Sequence, residues 1–383
     1  MMWCGSVNSV SNIGRTCEGA GVRVVAKIGT SSLTDDGGRI KHDAIAALCA
    51  EVAQLRSRGD EVVIVTSGAV AAGVAAMGLA TRPSDMETLQ ALSAVGQSRL
   101  MAVYDAELER HGLVGAQVLL DPHDFVDRRQ YLHSRQTIDR LLELGCVPLV
   151  NENDAIANIE LRYGDNDRMA ALLAHNIAAD VCVLLTDLDG LHTADPRSDP
   201  NAELVERVAA DDPLLAINAS STGSGRGSGG MASKLTAARI ASWSGIRTVI
   251  ARASRESVLV SAVDGTALGT TFEAHDRRLG ARKLWIAFAA EPQGRVVVDA
   301  GARSALTDRA SSLLPAGIVE VTGRFEEGDT VEIAGPDGRV FARGMSFVAA
   351  RDLNAVIGMR TSELPSGMVH EVIHRDDLVL LPD

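Results

Sequence analysis

Residues 146–178 read CVPLVNENDAIANIELRYGDNDRMAALLAHNIA, and the order of their parts decides the fold. An apolar run, Cys146 to Val150, passes into a cluster of amides and carboxylates, Asn151 to Asp154. A second polar cluster, Asp165 to Asp167, opens a segment from Arg168 to Ala178 with the spacing of a helix. A buried strand ending in polar groups, followed by a helix whose start is crowded with more, points to a crevice at the carboxyl end of a parallel sheet. Working outward, the pattern recurs. Strands are predicted at Val22–Ile28, Glu61–Thr66, Val114–Leu120, Val181–Leu185 and Arg247–Ile250, and helices at His42–Arg58, Asp85–Arg110, Arg129–Leu144 and Ser233–Trp243. Strands apolar throughout, alternating with helices, indicate a sheet covered on both faces. The expected fold class is α/β, a three-layer αβα sandwich with a largely parallel central sheet. The strand ends carry Gly29, Ser67-Gly68, Asn151 to Asp154 and Thr186-Asp187, and these should converge on one crevice.

The texture changes near residue 275. Residues 276–290 read as a linker, and beyond them turn signals crowd, as in Pro315-Ala316-Gly317 and Gly335-Pro336-Asp337-Gly338. Residues 291–383 are therefore expected to form a small β-rich domain. Residues 1–21 are rich in Ser, Gly and Asn and are expected to be a disordered extension. No apolar run approaches the roughly 18 residues of a membrane span. The net charge of −13 argues against broad binding to a phosphate backbone, yet leaves room for a small anion held by local cations. Residues 291–383 carry nine Arg, no Lys and fifteen Asp and Glu, a balance without the basic footprint of an RNA-binding domain. The five cysteines are scattered without CxxC pairs, which fits buried thiols of a reduced, cytoplasmic compartment.

Several residues could carry chemistry. Lys27 lies in an apolar strand just before Gly29-Thr30-Ser31. It is either a cation aimed at phosphate beside a turn of backbone N–H groups or an edge lysine reaching solvent. Ser67 opens a run of small residues that lets a helix N-terminus approach a ligand; it is a binding residue or a helix cap. Gly223 to Lys234 is glycine-rich and leads into a helix, as a flexible phosphate cover or a plain linker would. Asp154, Asp165 and Asp167 could hold Mg²⁺, bind a ligand ammonium or cap the next helix. Two lysines, several glycine turns and a carboxylate–amide cluster, all at the ends of parallel strands, form the inventory for phosphoryl transfer, where the protein positions groups and neutralises charge.

Taken with their order, the motifs resemble the amino acid kinase family, and within it the branch acting on glutamate. The resembling segments are Val25-Ala26-Lys27-Ile28-Gly29-Thr30-Ser31, Ile64 to Gly73, Ala94 to Leu100, Val150 to Ala155, Gly164 to Asp167, Leu185-Thr186-Asp187, Thr193 to Arg197 and Gly229 to Lys234. The part beyond residue 291 resembles a PUA domain, on Ser311 to Ile318 and Val321 to Phe325. The resemblance implies ATP-dependent phosphorylation of the L-glutamate side-chain carboxylate, the first step of proline synthesis, by a kinase domain over residues 22–275. It implies that Lys27 and Lys234 stabilise the transferring phosphoryl group and that Asp167 holds them. Ser67, Asn151, Asp154, Asp165 and Asn166 would surround glutamate. Thr186, Asp187, Ser228, Gly229, Gly230, Met231, Ala232, Ser233 and Lys234, with Lys27, would contact ATP. Mg²⁺, feedback inhibition by L-proline, a homo-oligomer and glutamyl phosphate reductase as the next enzyme are also implied, while the metal ligand stays open between Asp165 and Asp167. The competing readings are a kinase of the same family acting on aspartate, acetylglutamate, carbamate or UMP, and an RNA-binding protein using the PUA domain.

Overall fold

The computed structural model describes residues 21–125, 127–156, 166–196, 198–210, 212, 230–276, 279–290, 292–364 and 370–381. Asp165, Ser228, Gly229 and all but Gly21 of the expected N-terminal extension lie outside these residues.

The larger sheet has eight strands: β1 (Arg23–Ile28), β2 (Glu61–Val65), β3 (Gly115–Leu120), β4 (Val147–Glu152), β5 (Val181–Thr186), β6 (Arg207–Val208), β7 (Arg247–Arg252) and β8 (Thr270–Phe272). Their order is β3-β4-β2-β1-β5-β7-β8-β6, and every pairing is parallel except β7 with β8. Among the described residues, eight α-helices accompany it: α1 (Thr30–Leu33), α2 (His42–Ser57), α3 (Ala69–Ala76), α4 (Met86–Glu109), α5 (Arg128–Glu143), α6 (Asn166–Asn176), α7 (Met231–Trp243) and α8 (Val258–Asp264).

Alternation along the central strand sorts the layers. Val24, Ala26 and Ile28 pack with Ile45 and Val52 of α2, Leu100 and Tyr104 of α4, and Leu259 of α8. Val25 packs on the other side, with Ile138 of α5, Leu173 of α6 and Ala238 of α7. All six residues of β1 are buried, and each large apolar side chain so enclosed contributes about 1.5–3 kcal/mol. Lys27 shares the face of Val25, so the strand itself delivers the ammonium to the α6–α7 side. At the opposite, amino end of the strand, Arg23 donates to Glu61 at 2.7 Å, Asp139 at 2.7 Å and the Ile177 carbonyl at 2.6 Å, which satisfies that buried charge. Asp85 and Asp127 cap α4 and α5 by accepting backbone N–H groups of the first turn.

Residues 276–290, expected as a linker, are helical over α9 (Ala281–Leu284) and a wide turn, Trp285–Ala289. They bury Leu284, Ile286 and Phe288 in the same core as α5, α6 and α7. The second sheet holds β9 (Gly294–Val298), β10 (Ile318–Gly323), β11 (Thr330–Ala334), β12 (Val340–Met345) and β13 (Leu378–Leu380), in the order β10-β9-β11-β12-β13. Helices α10 (Ala300–Arg309) and α11 (Ala350–Asn354) accompany it. Met345 and Val379 of this sheet join the core of the first, and Arg282 pairs with Asp377. The junction is thus packed rather than open.

Candidate active site

The carboxyl ends of β1, β2, β4 and β5 meet at the starts of α3, α6 and α7. Helix α6 begins at Asn166, two residues before the predicted start, so Asn166 and Asp167 lie in its first turn. Helix α7 begins at Met231, which puts Lys234 in its opening turn.

Asp167 joins both lysines. Its Oδ1 lies 2.6 Å from Lys27 Nζ and its Oδ2 3.0 Å from Lys234 Nζ. All three are buried: Asp167 is 0% exposed, Lys27 4% and Lys234 5%. Burial works to raise the Asp167 pKa, but the Lys27 and Lys234 charges and their hydrogen bonds prevail and hold it below the ordinary carboxylate value. One carboxylate against two ammoniums leaves a net positive charge out of water, which is how a protein prepares for an anion that arrives only with substrate. Both oxygens of Asp167 being engaged argues against it as a metal ligand, and among the described residues no group of three or more His, Cys, Asp or Glu could hold one. Cys182, one strand away, has its thiol pushed up to about 12, chiefly by burial and then by Asp167, so it is unreactive.

Beside this cluster stands a network of amides. Asn166 Nδ2 lies 2.8 Å from the Thr66 carbonyl, 2.7 Å from Ser67 Oγ and 2.9 Å from Asn151 Oδ1. Asn151 Oδ1 also accepts from Glu152 N at 2.9 Å, which fixes the amide, and Nδ2 donates to Gln97 Oε1 at 2.8 Å. Thr66 Oγ1 shares a 3.0 Å hydrogen bond with the Tyr104 hydroxyl. Ser93 Oγ donates to Asp154 Oδ2 at 3.4 Å. Gln97 Nε2 and Asn166 Oδ1 are buried without a hydrogen-bond partner among the described residues, one donor and one acceptor.

The sequence-predicted residues therefore fall into two groups that the fold brings side by side: Lys27, Asp167 and Lys234, and Ser67, Asn151 and Asn166. Asp154 lies at the end of β4 on the Ser93 side. Thr186 and Asp187 end β5, where Thr186 Oγ1 donates to Asp187 Oδ1 at 3.1 Å, and the Gly29 N–H reaches the Leu185 carbonyl at 3.4 Å. Gly230, Met231, Ala232 and Ser233 form the entry to α7, with the Ser233 hydroxyl oxygen buried and without a hydrogen-bond partner among the described residues. Asp165, Ser228 and Gly229 lie outside the described residues.

Sequence reasoning missed the wall contributed by α4. Ser93 and Gln97 are four residues apart, on the buried face that also carries Leu89, Leu92 and Leu100. Two polar residues one turn apart in an apolar stripe were the available signal. That wall reaches the site through a close crossing of α3 and α4. A Cβ on Gly96 would stand 1.8 Å from the Ala69 carbonyl oxygen, and one on Gly73 2.0 Å from that of Leu92. Gly68, whose φ is 102°, turns the chain from β2 into α3 beside Ser67.

Residues 22–252 match the amino acid kinase family, and residues 294–368 match the PUA domain. A glutamate 5-kinase of Cupriavidus metallidurans is 45% identical over 363 residues, 94% of this chain and 98% of that protein. Glutamate 5-kinases of Trichlorobacter lovleyi and Burkholderia cenocepacia are each 43% identical over 94% of this chain, covering 96% and 98% of those proteins. A solved structure of the T. acidophilum isopentenyl phosphate kinase product complex aligns with a TM-score of 0.49 at 18% identity, covering 66% of this chain and 100% of that one.

Proposed function

The chain belongs to the amino acid kinase family, and from that premise we propose that it transfers the γ-phosphoryl group of ATP to the side-chain carboxylate of L-glutamate. The product is L-glutamyl 5-phosphate, in the first step of proline biosynthesis. The observation that carries phosphoryl transfer is the buried Lys27–Asp167–Lys234 cluster. The choice of glutamate rests on relatives of 43–45% identity over nearly the whole chain. Nothing favours another acceptor of the family, and residues 291–383 lack the charge for RNA.

The nucleophile is a carboxylate, already ionised at neutral pH, so no general base is required. The task is to bring two anions together. Lys27 and Lys234 supply the cations at the transferring group, and Asp167 holds them apart and aimed. The unpartnered Gln97 Nε2 and Asn166 Oδ1 match the α-carboxylate and α-ammonium of an amino acid, with Ser67, Asn151 and Asp154 completing that side. Asp165, which lies outside the described residues, is assigned to the same side. The 228–234 segment with Thr186 and Asp187 covers ATP. Mg²⁺ bound with ATP would neutralise charge on the phosphates, and Asp165 would be the carboxylate left to hold it. Membership also supports kinase and PUA units at 22–275 and 291–383, feedback inhibition by L-proline, a homo-oligomer, a cytoplasmic location and glutamyl phosphate reductase as the consumer of the product.

The test is turnover of purified protein with ATP and, separately, glutamate, aspartate, acetylglutamate, carbamate and UMP. Glutamate should be phosphorylated; turnover of carbamate or UMP without glutamate would end the proposal. Lys27→Ala and Lys234→Ala should each lower kcat by about 10²–10³ with the fold intact. Near-normal turnover in both would remove the phosphoryl-transfer role.

A further inference from the structure

Where the two sheets meet, three arginines gather with little compensating charge among the described residues. Arg168 lies on α6, Arg239 on α7 and Arg343 on β12. Arg239 sets its guanidinium 5.0 Å from the centroid of the Phe288 ring, and Arg343 Nη1 donates to the carbonyl of neighbouring Ala287 at 3.0 Å. The Nε of each of the three arginines is buried without a hydrogen-bond partner among the described residues. Glu332 is the one carboxylate paired with any of them among the described residues. Its Oε1 lies 3.9 Å from Arg343 Nη2, while its Oε2 is taken by Arg295 at 2.7 Å. Burial, and then Arg343, push the Arg239 guanidinium down to about 10; burial likewise lowers Arg343, with Glu332 opposing and Arg168 adding to the effect. Arg343 thus shares its field with Arg239 on one side and Arg168 on the other.

All three side chains are half-buried, and like charges held partly out of water are costly unless paired. Guanidinium groups present forked donors that match tetrahedral oxyanions. We propose that Arg168, Arg239 and Arg343 form a binding site for a small oxyanion of the phosphate class, bridging α6 and α7 of the first sheet to β12 of the second. This site is separate from the lysine cluster and does not depend on which acceptor the kinase uses. The acidic balance of residues 291–383 favours a small anion over RNA.

The experiment is thermal unfolding of the full chain in inorganic phosphate against sodium chloride of equal ionic strength. The melting temperature should rise with phosphate and level off, as for ligand binding to the folded state. Lys27→Ala, which removes an active-site cation, should keep the rise. Arg239→Gln and Arg343→Gln should lose it, and Arg343→Lys should keep part of it. Near-ultraviolet circular dichroism checks that each variant folds; if Arg343→Gln does not, Arg239→Gln decides. No rise beyond chloride, a rise abolished by Lys27→Ala, or an undiminished rise in the folded Arg→Gln variants overturns the proposal. So does a short single-stranded RNA that stabilises the chain at lower concentration than phosphate.

Discussion

Asp167 and Arg168 are neighbours in the chain, and each belongs to a group of three charged side chains, the first buried and the second half-buried, yet the two clusters are opposites. At the first, a carboxylate stands between two ammoniums, with both oxygens within 3.0 Å of a nitrogen. At the second, a guanidinium, Arg343, feels two others, and its one carboxylate among the described residues is 3.9 Å away and shared. Successive residues of a helix point about 100° apart, so one turn of α6 serves both places. The sign of the middle group decides what each cluster can do. The first is nearly complete and awaits only the charge that develops in reaction. The second is incomplete until an anion enters.

The comparison can be broken most forcefully at its first member. Asp167→Ala leaves two buried ammoniums unpaired, so it should cost about 3–5 kcal/mol of stability and lower kcat by about 10²–10³. Arg239→Gln in phosphate-free buffer should melt no lower than the parent, since it relieves repulsion. Chemical denaturation and initial rates measure both, and equal losses in the two variants would erase the distinction. A smaller effect belongs to the α4 wall. Gln97→Leu removes a donor and the partner of Asn151, so the glutamate KM should rise roughly tenfold, about 1.4 kcal/mol, with kcat little changed. An unchanged KM would place the amino acid elsewhere. The smallest difference shows only in acid. Asp167 has a folded pKa below its ordinary 3.8. Its contribution is therefore fully present above that value and lost as pH falls through the folded one. The stability gap between parent and Asp167→Asn should narrow below about pH 4. A gap that stays constant would contradict the lowered pKa.

The central sheet was legible because its strands are apolar on both faces and bounded by helices with regular spacing; β1, β2, β4 and β5 fall within two residues of expectation. The lysines were legible as charges interrupting apolar or glycine-rich runs. What could not be read was pairing across the chain. Asp167 lies 140 residues from Lys27, and no local pattern says which of Asp165 and Asp167 meets it. Gln97 was hidden because one amide in a long helix looks like a solvent-facing residue until packing shows that face to be buried. The 276–290 segment was misjudged in character because its charged start obscured Leu284, Ile286 and Phe288, whose burial depends on the second sheet. The three arginines gave no signal, since they come together only through the docking of the two sheets.

The crossing of Gly73 and Gly96 has a consequence for how such an enzyme could change. Main chain meets main chain there, so no graded series of side chains can widen or narrow the gap between α3 and α4. The separation between Ser67 and the wall bearing Ser93 and Gln97 is thus a constant of the architecture rather than an adjustable dimension. Descendants accepting a longer or shorter acid would have to alter the groups on the wall, not its position, which confines evolutionary drift in substrate size to a few surface positions of the pocket.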